Sequence, residues 1–130
     1  MKIRTILLAL FLLTIQPLFA ASTNTHIVVN VRYPLFTVHL KSNPTTGYRW
    51  ILQEYDSRFI QPTQHEFRSS DSKLIGAPGY EHWTFRVSQE AFSRPHHLVI
   101  RFVYRRPWQK SVDPSAAQAV FNIDTTVFQR

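Results

Sequence analysis

The stretch NPTTGYRW, residues 43–50, separates two segments of alternating apolar and polar residues, and it predicts a stiff turn between two strands. Pro44 fixes its own φ and pushes Asn43 toward extended backbone, while Gly47 can take a positive φ at little cost. We expect the Asn43 side chain to accept a hydrogen bond from a backbone N–H two residues on. Two small hydroxyl side chains then stand at the tip. Taken alone, this turn is equally well explained as an ordinary strand connection.

Alternation of apolar and polar residues continues along the chain from residue 25, and no window has a helical period. The alternating segments are 26–31, 35–41, 48–55, 59–67, 80–87, 97–105 and 119–128. The fourth segment contains Pro62, which cannot donate to a β-ladder, so we expect a broken strand at a sheet edge. Seven short strands at even spacing are typical of an all-β antiparallel sandwich. Trp50 and Trp83 are expected in its core.

The first twenty residues have the pattern of a secretory signal. Lys2 and Arg4 precede an apolar run over residues 6–15, and small residues follow that run. The apolar run is short for a membrane span. We therefore expect residues 1–20 to be a cleaved signal peptide, with an uncleaved anchor as the alternative. Residues 22–130 are then expected to form one secreted or periplasmic domain without a stable membrane anchor.

The composition excludes several classes of function. The chain has no cysteine, so thiol catalysis, cysteine-rich zinc sites and disulfides are all ruled out, and the core must hold by packing alone. The net charge is +7, and it falls to +5 when the two basic residues of the signal are removed. This moderate charge, spread over all strands, does not favour a nucleic-acid partner, whereas it suits an acidic protein surface. No cofactor is expected, and a monomer is the default oligomeric state.

Three unusual connections fall at one end of the predicted sandwich. Successive strands run in opposite directions, so the second, fourth and sixth connections share one pole. They contain residues 43–47, 74–79 and 106–108. These are a proline-stiffened threonine pair, a Gly/Pro loop with two apolar side chains, and a tryptophan after an Arg-Pro pair. Because binding residues concentrate on loops held by a rigid scaffold, and Trp is a frequent interface anchor, Trp108 is interpreted as a binding residue.

The motifs NPTTGY at 43–48, GAPG at 76–79 and RPW at 106–108 resemble, in the same order, the three signature loops of the chagasin family. Members of this family inhibit papain-like cysteine peptidases. The resemblance includes the residues that flank the second motif and covers essentially the whole predicted domain. Pro78 is a departure, since the family often has a further glycine there, and it stiffens the second loop.

The resemblance implies an immunoglobulin-like sandwich that places three loops in the cleft of a papain-like cysteine peptidase. The first loop would bring Thr45 near the peptidase's Cys–His pair, with Thr46 beside it. The second would pair its backbone like a substrate and insert Ile75 into an apolar pocket, and the third would place Trp108 on the primed side. The implied peptidase-binding residues are Asn43, Pro44, Thr45, Thr46, Gly47, Leu74, Ile75, Gly76, Ala77, Pro78, Gly79, Arg106, Pro107 and Trp108.

Two other classes of function fit the residues less well. An enzyme lacks support because there is no Gly-x-Ser-x-Gly motif. The adjacent His96 and His97 are expected to point to opposite faces of a strand, which is poor geometry for a metal. An adhesive or accessory β-sandwich that binds a sugar or a surface protein outside the cytoplasm is the remaining alternative, supported by the export signal and the aromatic content.

Overall fold

The computed structural model describes residues 22–71, 73–111 and 113–127. They form seven strands, as the alternation predicts. The strands are β1 (Ser22–Asn30), β2 (Leu35–Ser42), β3 (Arg49–Glu54), β4 (Ile60–Ser69), β5 (Gly79–Val87), β6 (His97–Arg105) and β7 (Gln118–Thr126). Two single 3-10 turns occur at Pro44–Thr46 and Gln89–Phe92. The predicted signal peptide lies outside the described residues and stays a prediction.

The strands form two sheets, with the orders β1-β7-β6-β3 and β2-β5-β4. All neighbouring strands are antiparallel except β1 and β7, which pair in parallel from Ser22 opposite Gln118 to Asn30 opposite Thr126. Within the three described ranges, no helix combines the length and the apolar character that crossing a bilayer requires. The predicted all-β sandwich is confirmed.

The core lies between the sheets and follows the predicted alternation. In β2 every second residue from Phe36 to Ser42 is buried. Trp50 is buried, and Trp83 packs against the core from a partly buried position. The largest fully buried side chains are Phe85, Phe102, Ile60, Ile100, Ile123, Val38 and Val103. Burial of such aliphatic and aromatic side chains is the main stabilising term in a chain without disulfides.

β4 differs from the broken strand that was predicted. It is an outer strand, as expected, but it continues through Pro62 and pairs with β5 along its whole length. The register shifts between Pro62 and Gln64, where one residue is left out of the ladder. A bulge of this kind lets an edge strand carry a residue without an N–H, so the proline bends the strand and does not end it.

Candidate functional site

Three connections meet at one end of the sandwich, as counting strands predicts. We name them loop 1 (residues 43–48, between β2 and β3), loop 2 (70–78, between β4 and β5) and loop 3 (106–117, between β6 and β7). All three glycines of the chain lie in or beside these loops. Loop 1 is central, because a Cβ built on Gly76 of loop 2 would lie 3.5 Å from Thr45 Cγ2, and one built on Gly47 would lie 2.7 Å from Trp108 Cη2.

The backbone of loop 1 has the conformation that its sequence predicts. Asn43 lies outside the α region, at the border of extended backbone, with φ −131° and ψ 88°, and Gly47 has a φ of 81°. Between them lies a single 3-10 turn, in which Thr46 N–H donates to the Asn43 carbonyl at 3.2 Å and Gly47 N–H donates to the Pro44 carbonyl at 3.0 Å. The loop is therefore braced by its own backbone before any partner binds.

The side-chain bond predicted for Asn43 is different in the structure. Its Oδ1 accepts from the Thr45 hydroxyl at 2.6 Å, and the expected bond to a backbone N–H two residues on is wrong. The Thr46 hydroxyl donates to the Asn43 carbonyl at 2.7 Å. Both threonines are exposed and both have their hydroxyl hydrogen engaged inside the loop. The Thr45 oxygen consequently presents acceptor lone pairs to a partner, and the Thr46 oxygen keeps one lone pair beside the bond that it accepts from Tyr48 N–H at 3.4 Å.

An aromatic cluster supports the base of loop 1. Asn43 N–H donates to the Tyr104 hydroxyl at 3.0 Å, and the Tyr104 ring contacts both Tyr48 and Trp50, with centroid distances of 5.5 and 5.0 Å. The Arg106 guanidinium lies 4.7 Å from the centre of the Tyr48 ring. This cation–π contact joins the start of loop 3 to the end of loop 1.

A buried carboxylate lies below the same loop. Glu81, on the inner face of β5, is only 2 % exposed. Its Oε1 accepts from the Ser42 hydroxyl at 2.8 Å and from Trp50 N–H at 3.1 Å, which places one bond on each side of loop 1. Its Oε2 accepts from His65 Nε2 at 2.9 Å and from Trp83 Nε1 at 3.4 Å. The sequence showed a glutamate at an inward position of β5, but not these partners.

Loop 2 holds two large apolar side chains in solvent. Ala77 N–H donates to the Leu74 carbonyl at 3.3 Å, so Ile75 and Gly76 are the central residues of a turn. Gly76, with a φ of 81°, supplies the positive φ that the third position of a type II turn requires. Leu74 and Ile75 are exposed, and Ile75 is entirely so. In the free protein this tip is a turn, not an extended substrate-like strand.

The two residues that close loop 2 have different roles. Pro78 is exposed, and its carbonyl accepts from Ser70 N–H at 3.0 Å. Gly79 is the buried first residue of β5, and a Cβ there would lie 2.1 Å from the Arg68 carbonyl oxygen. Glycine is thus needed at position 79 for the close approach of β4 and β5. Gly79 is buried, so it supports loop 2 from below and presents no exposed atoms to a partner.

Loop 3 begins with a hydrogen-bonded turn that presents Trp108. Gln109 N–H donates to the Arg106 carbonyl at 3.1 Å, and Arg106 N–H donates to Gln109 Oε1 at 3.2 Å. Trp108 is 68 % exposed, in agreement with its interpretation as a surface residue. Farther along the loop, the hydroxyl and N–H of Ser115 bond Asp113 and hold the pKa of that carboxyl below its usual value.

The described residues contain no group of three or more His, Cys, Asp or Glu side chains placed to hold a metal ion. The site is instead a continuous surface of exposed threonine, aliphatic and indole side chains on turns that are hydrogen-bonded from within. Such a surface is suited to binding another protein.

Comparisons with known proteins agree with this interpretation. The family model described as "Chagasin family peptidase inhibitor I42" matches residues 34–124. Chagasin of Trypanosoma cruzi is 36 % identical over 78 residues, which cover 57 % of this chain and 66 % of chagasin, so just under two thirds of that relative is matched.

Two solved structures share the fold. The cysteine protease inhibitor EhICP2 from Entamoeba histolytica superposes with a TM-score of 0.57 at 21 % identity, covering 81 % of this chain and 92 % of that one. Amebosin superposes with a TM-score of 0.52 at 22 % identity, covering 82 % and 96 %. The predicted immunoglobulin-like sandwich is confirmed, and the adhesive alternative gains no support. The chain belongs to the chagasin family of peptidase inhibitors.

Proposed function

We propose that this protein is an exported, reversible inhibitor of papain-like cysteine peptidases, and that loops 1, 2 and 3 together block the active-site cleft. Its family consists of inhibitors and not enzymes. The observation that carries the proposal is the contiguity of the three loops, in which Thr45 lies against Gly76 and Gly47 lies under the Trp108 ring. A partner that engages one loop therefore meets all three.

Loop 1 suits the centre of the cleft. Its exposed threonine oxygens can accept hydrogen bonds from the donors of a catalytic Cys–His pair. The carbonyl groups of Asn43 and Pro44 are turned inward to accept the hydrogen bonds of the 3-10 turn. A thiolate attacks a peptide carbonyl only when that group is held in line with it. We therefore expect this curled loop to occupy the cleft and to resist cleavage.

Loops 2 and 3 supply the apolar anchors on either side. The exposed side chain of Ile75 fits an apolar pocket on the non-primed side, and Trp108 fits an aromatic surface on the primed side. Because Ile75 lies at the tip of a turn in the free protein, substrate-like backbone pairing by loop 2 requires that turn to open. Side-chain insertion of Ile75 requires no such change.

Preorganisation lowers the cost of binding. Pro44, Pro78 and Pro107 each restrict one loop, and the internal hydrogen bonds of the turns restrict them further. Nanomolar affinity corresponds to about −12 kcal/mol. An interface of roughly 800 Å² per partner supplies this when a few anchors are well packed.

The proposed function is tested by titrating the protein against papain-like and serine peptidases. We expect it to inhibit the papain-like peptidases and not the serine peptidases. Changing Thr45→Ala and Trp108→Ala together should abolish tight inhibition while the fold remains intact. The matched control is Tyr33→Ala, because Tyr33 is 69 % exposed, like Trp108, but lies in the β1–β2 connection at the other pole. Unchanged inhibition by the double variant, or rapid cleavage between Thr45 and Thr46 seen by mass spectrometry, would contradict the proposal.

A further inference from the structure

A cavity of about 190 Å³ opens beside loop 1, outside the three predicted loops. It is lined by Pro44, Arg49, His65, Phe67 and Glu81. Pro44 belongs to loop 1, and Arg49 begins β3 directly after that loop. The other three residues come from β4 and β5 of the facing sheet. The cavity therefore lies between the two sheets, at the end that carries the loops.

The sheet order explains why this space is open. β3 and β4 are both outer strands, each in a different sheet. On β4, His65 lies opposite Trp83 and Phe67 lies opposite Glu81, so both point to the inner side of the sandwich. Phe67 is nevertheless 39 % exposed. An aromatic ring on the inner side of a sheet is normally covered, so this exposure marks a part of the sandwich that the described residues leave unfilled.

The polar groups at the floor of the cavity already have partners. Glu81 accepts from four donors. His65 donates one of those bonds and stacks on Trp83 with a centroid distance of 3.8 Å. A polar ligand would gain little from groups that are already paired, whereas an apolar group would cover the ring of Phe67. Arg49, which is exposed, is the cation at the rim.

We infer that, in the complex proposed above, this cavity receives one apolar side chain from the peptidase surface beside the cleft, while Arg49 pairs with an acidic group next to it. The inference rests on the proposed function. Pro44 connects the two surfaces, because a partner that surrounds the tip of loop 1 must also cover the opening that Pro44 borders. The cavity is thus a fourth contact, and it is carried by strands instead of loops.

The experiment measures inhibition and binding kinetics of Phe67→Ala against a papain-like peptidase that the unaltered protein inhibits. We expect about 10-fold weaker affinity, mostly through faster dissociation, with Phe67→Leu intermediate. Arg49→Gln should mainly slow association at low salt. Tyr55→Ala is the matched control and should change nothing, since Tyr55 is 36 % exposed and lies in the β3–β4 connection, away from the three loops.

The outcomes separate the two proposals. If the unaltered protein inhibits no papain-like peptidase, the proposed function fails. If it inhibits and Phe67→Ala stays within twofold of it, this inference fails and the proposed function stands. If Phe67→Ala and Phe67→Leu lower the affinity for every inhibited peptidase equally, and loop 1 is displaced in both, the proposal of a direct contact at Phe67 also fails.

A measurement on the unaltered chain makes the test independent of the variants. Amide hydrogen exchange of residues 64–68 should slow when the peptidase binds, because the outward N–H groups of an edge strand are open to water in the free protein. Unchanged exchange over those residues, with slowed exchange in loop 1, would refute the fourth contact even if Phe67→Ala failed to fold.

Discussion

At the scale of single residues, Glu81 joins its own strand to three others. Its four donors come from Ser42 on β2, Trp50 on β3, His65 on β4 and Trp83 on β5. Two of these donors bracket loop 1. The alternation of β5 predicted that position 81 faces inward, but three of its four partners lie 16 to 39 residues away, and no local pattern reveals them. The position of loop 1 relative to the opposite sheet therefore depends on a long-range network.

Removing this carboxylate should be costly. Glu81→Ala leaves the Ser42 hydroxyl and Trp50 N–H buried without an acceptor, so we expect a loss of about 2–4 kcal/mol in the free energy of unfolding. Denaturant unfolding measures it. Glu54→Ala is the control, because its ion pair with Arg101 involves a side chain that is largely exposed, and a loss below about 1 kcal/mol is expected. Equal losses in the two variants would show that the network has no special role.

Gly47 is expected to be required both for its positive φ and for the space that it leaves to the Trp108 ring, and a pair of variants can separate these two roles. Gly47→Ala and Gly76→Ala both force a side chain into a positive φ, at about 1–2 kcal/mol. Only at position 47 does the new Cβ meet Trp108, at 2.7 Å, while at position 76 the nearest atom is an ordinary 3.5 Å away. We expect similar backbone strain in both variants. Only Gly47→Ala should also displace the indole of Trp108, which would be measured as a change in Trp108 fluorescence and as weaker inhibition. An unmoved indole would show that the ring does not rest on Gly47.

At the scale of elements, one carboxylate links three strands on the outer face of the larger sheet. Asp124 on β7 accepts from His97 Nδ1 on β6 at 2.6 Å, and His26 on β1 lies 3.7 Å from its other oxygen. The hydrogen bond from His97, helped by the charge of that ring and by His26, lowers the pKa of Asp124 from its ordinary 3.8. A lowered pKa in the folded state stabilises the fold above the unfolded pKa, and this contribution is lost as the pH falls through the folded value.

The stabilising contribution of Asp124 should therefore be lost in acid. We expect the contribution of Asp124 to be complete above pH 3.8 and to disappear progressively below it, so Asp124→Asn should flatten the acid side of the stability curve. Chemical denaturation at a series of pH values measures this slope. His97→Gln should produce the same flattening, because the His97 bond is the largest cause of the shift. An acid limb as steep as that of the unaltered protein, in both variants, would be inconsistent with this link.

Local sequence patterns predicted the presence of the strands better than they predicted the bulges within them. All seven strands could be predicted, most directly where alternate residues are buried, as in β2 and β7, because a period of two in the sequence records that burial. Pro62 was expected to break β4, and the strand absorbs it in a bulge, because pairing with β5 continues on both sides. Whether a proline ends or merely bends an edge strand depends on such tertiary pairing, which the residues around it do not report.

At the scale of the whole molecule, strand direction alone predicted that three loops would share one pole. This worked because antiparallel neighbours alternate in direction, whatever the details of their pairing. The cavity beside Phe67 could not be predicted, since it depends on how two sheets of unequal strand number overlap. The internal bonds of loop 1 join residues two or three positions apart, but the residue types alone do not decide whether Asn43 Oδ1 accepts from a hydroxyl or from a backbone N–H. The sequence thus located the site, and the structure supplied its geometry.

The charge of the whole molecule should affect how fast it binds. With a net charge of +7, or +5 without the predicted signal, its association with an acidic peptidase should slow as salt rises. We expect about a 10-fold lower association rate between about 0.05 and 0.5 M salt, with little change in dissociation. Stopped-flow binding measures both rates. A peptidase with a basic surface serves as the control and should lack this dependence; the same decrease for both enzymes would argue against electrostatic steering.

The parallel pairing of β1 with β7 has a practical consequence for how the protein is attached to a solid support. Ser22 enters the sandwich beside Gln118, next to loop 3, whereas Thr126 leaves it beside Asn30, at the opposite end. A tether joined ahead of β1 would hold the loops against a biosensor chip or bead and mask them. A tether joined after β7 would leave them facing outward, so immobilisation through that end is the arrangement in which peptidase capture should be measured.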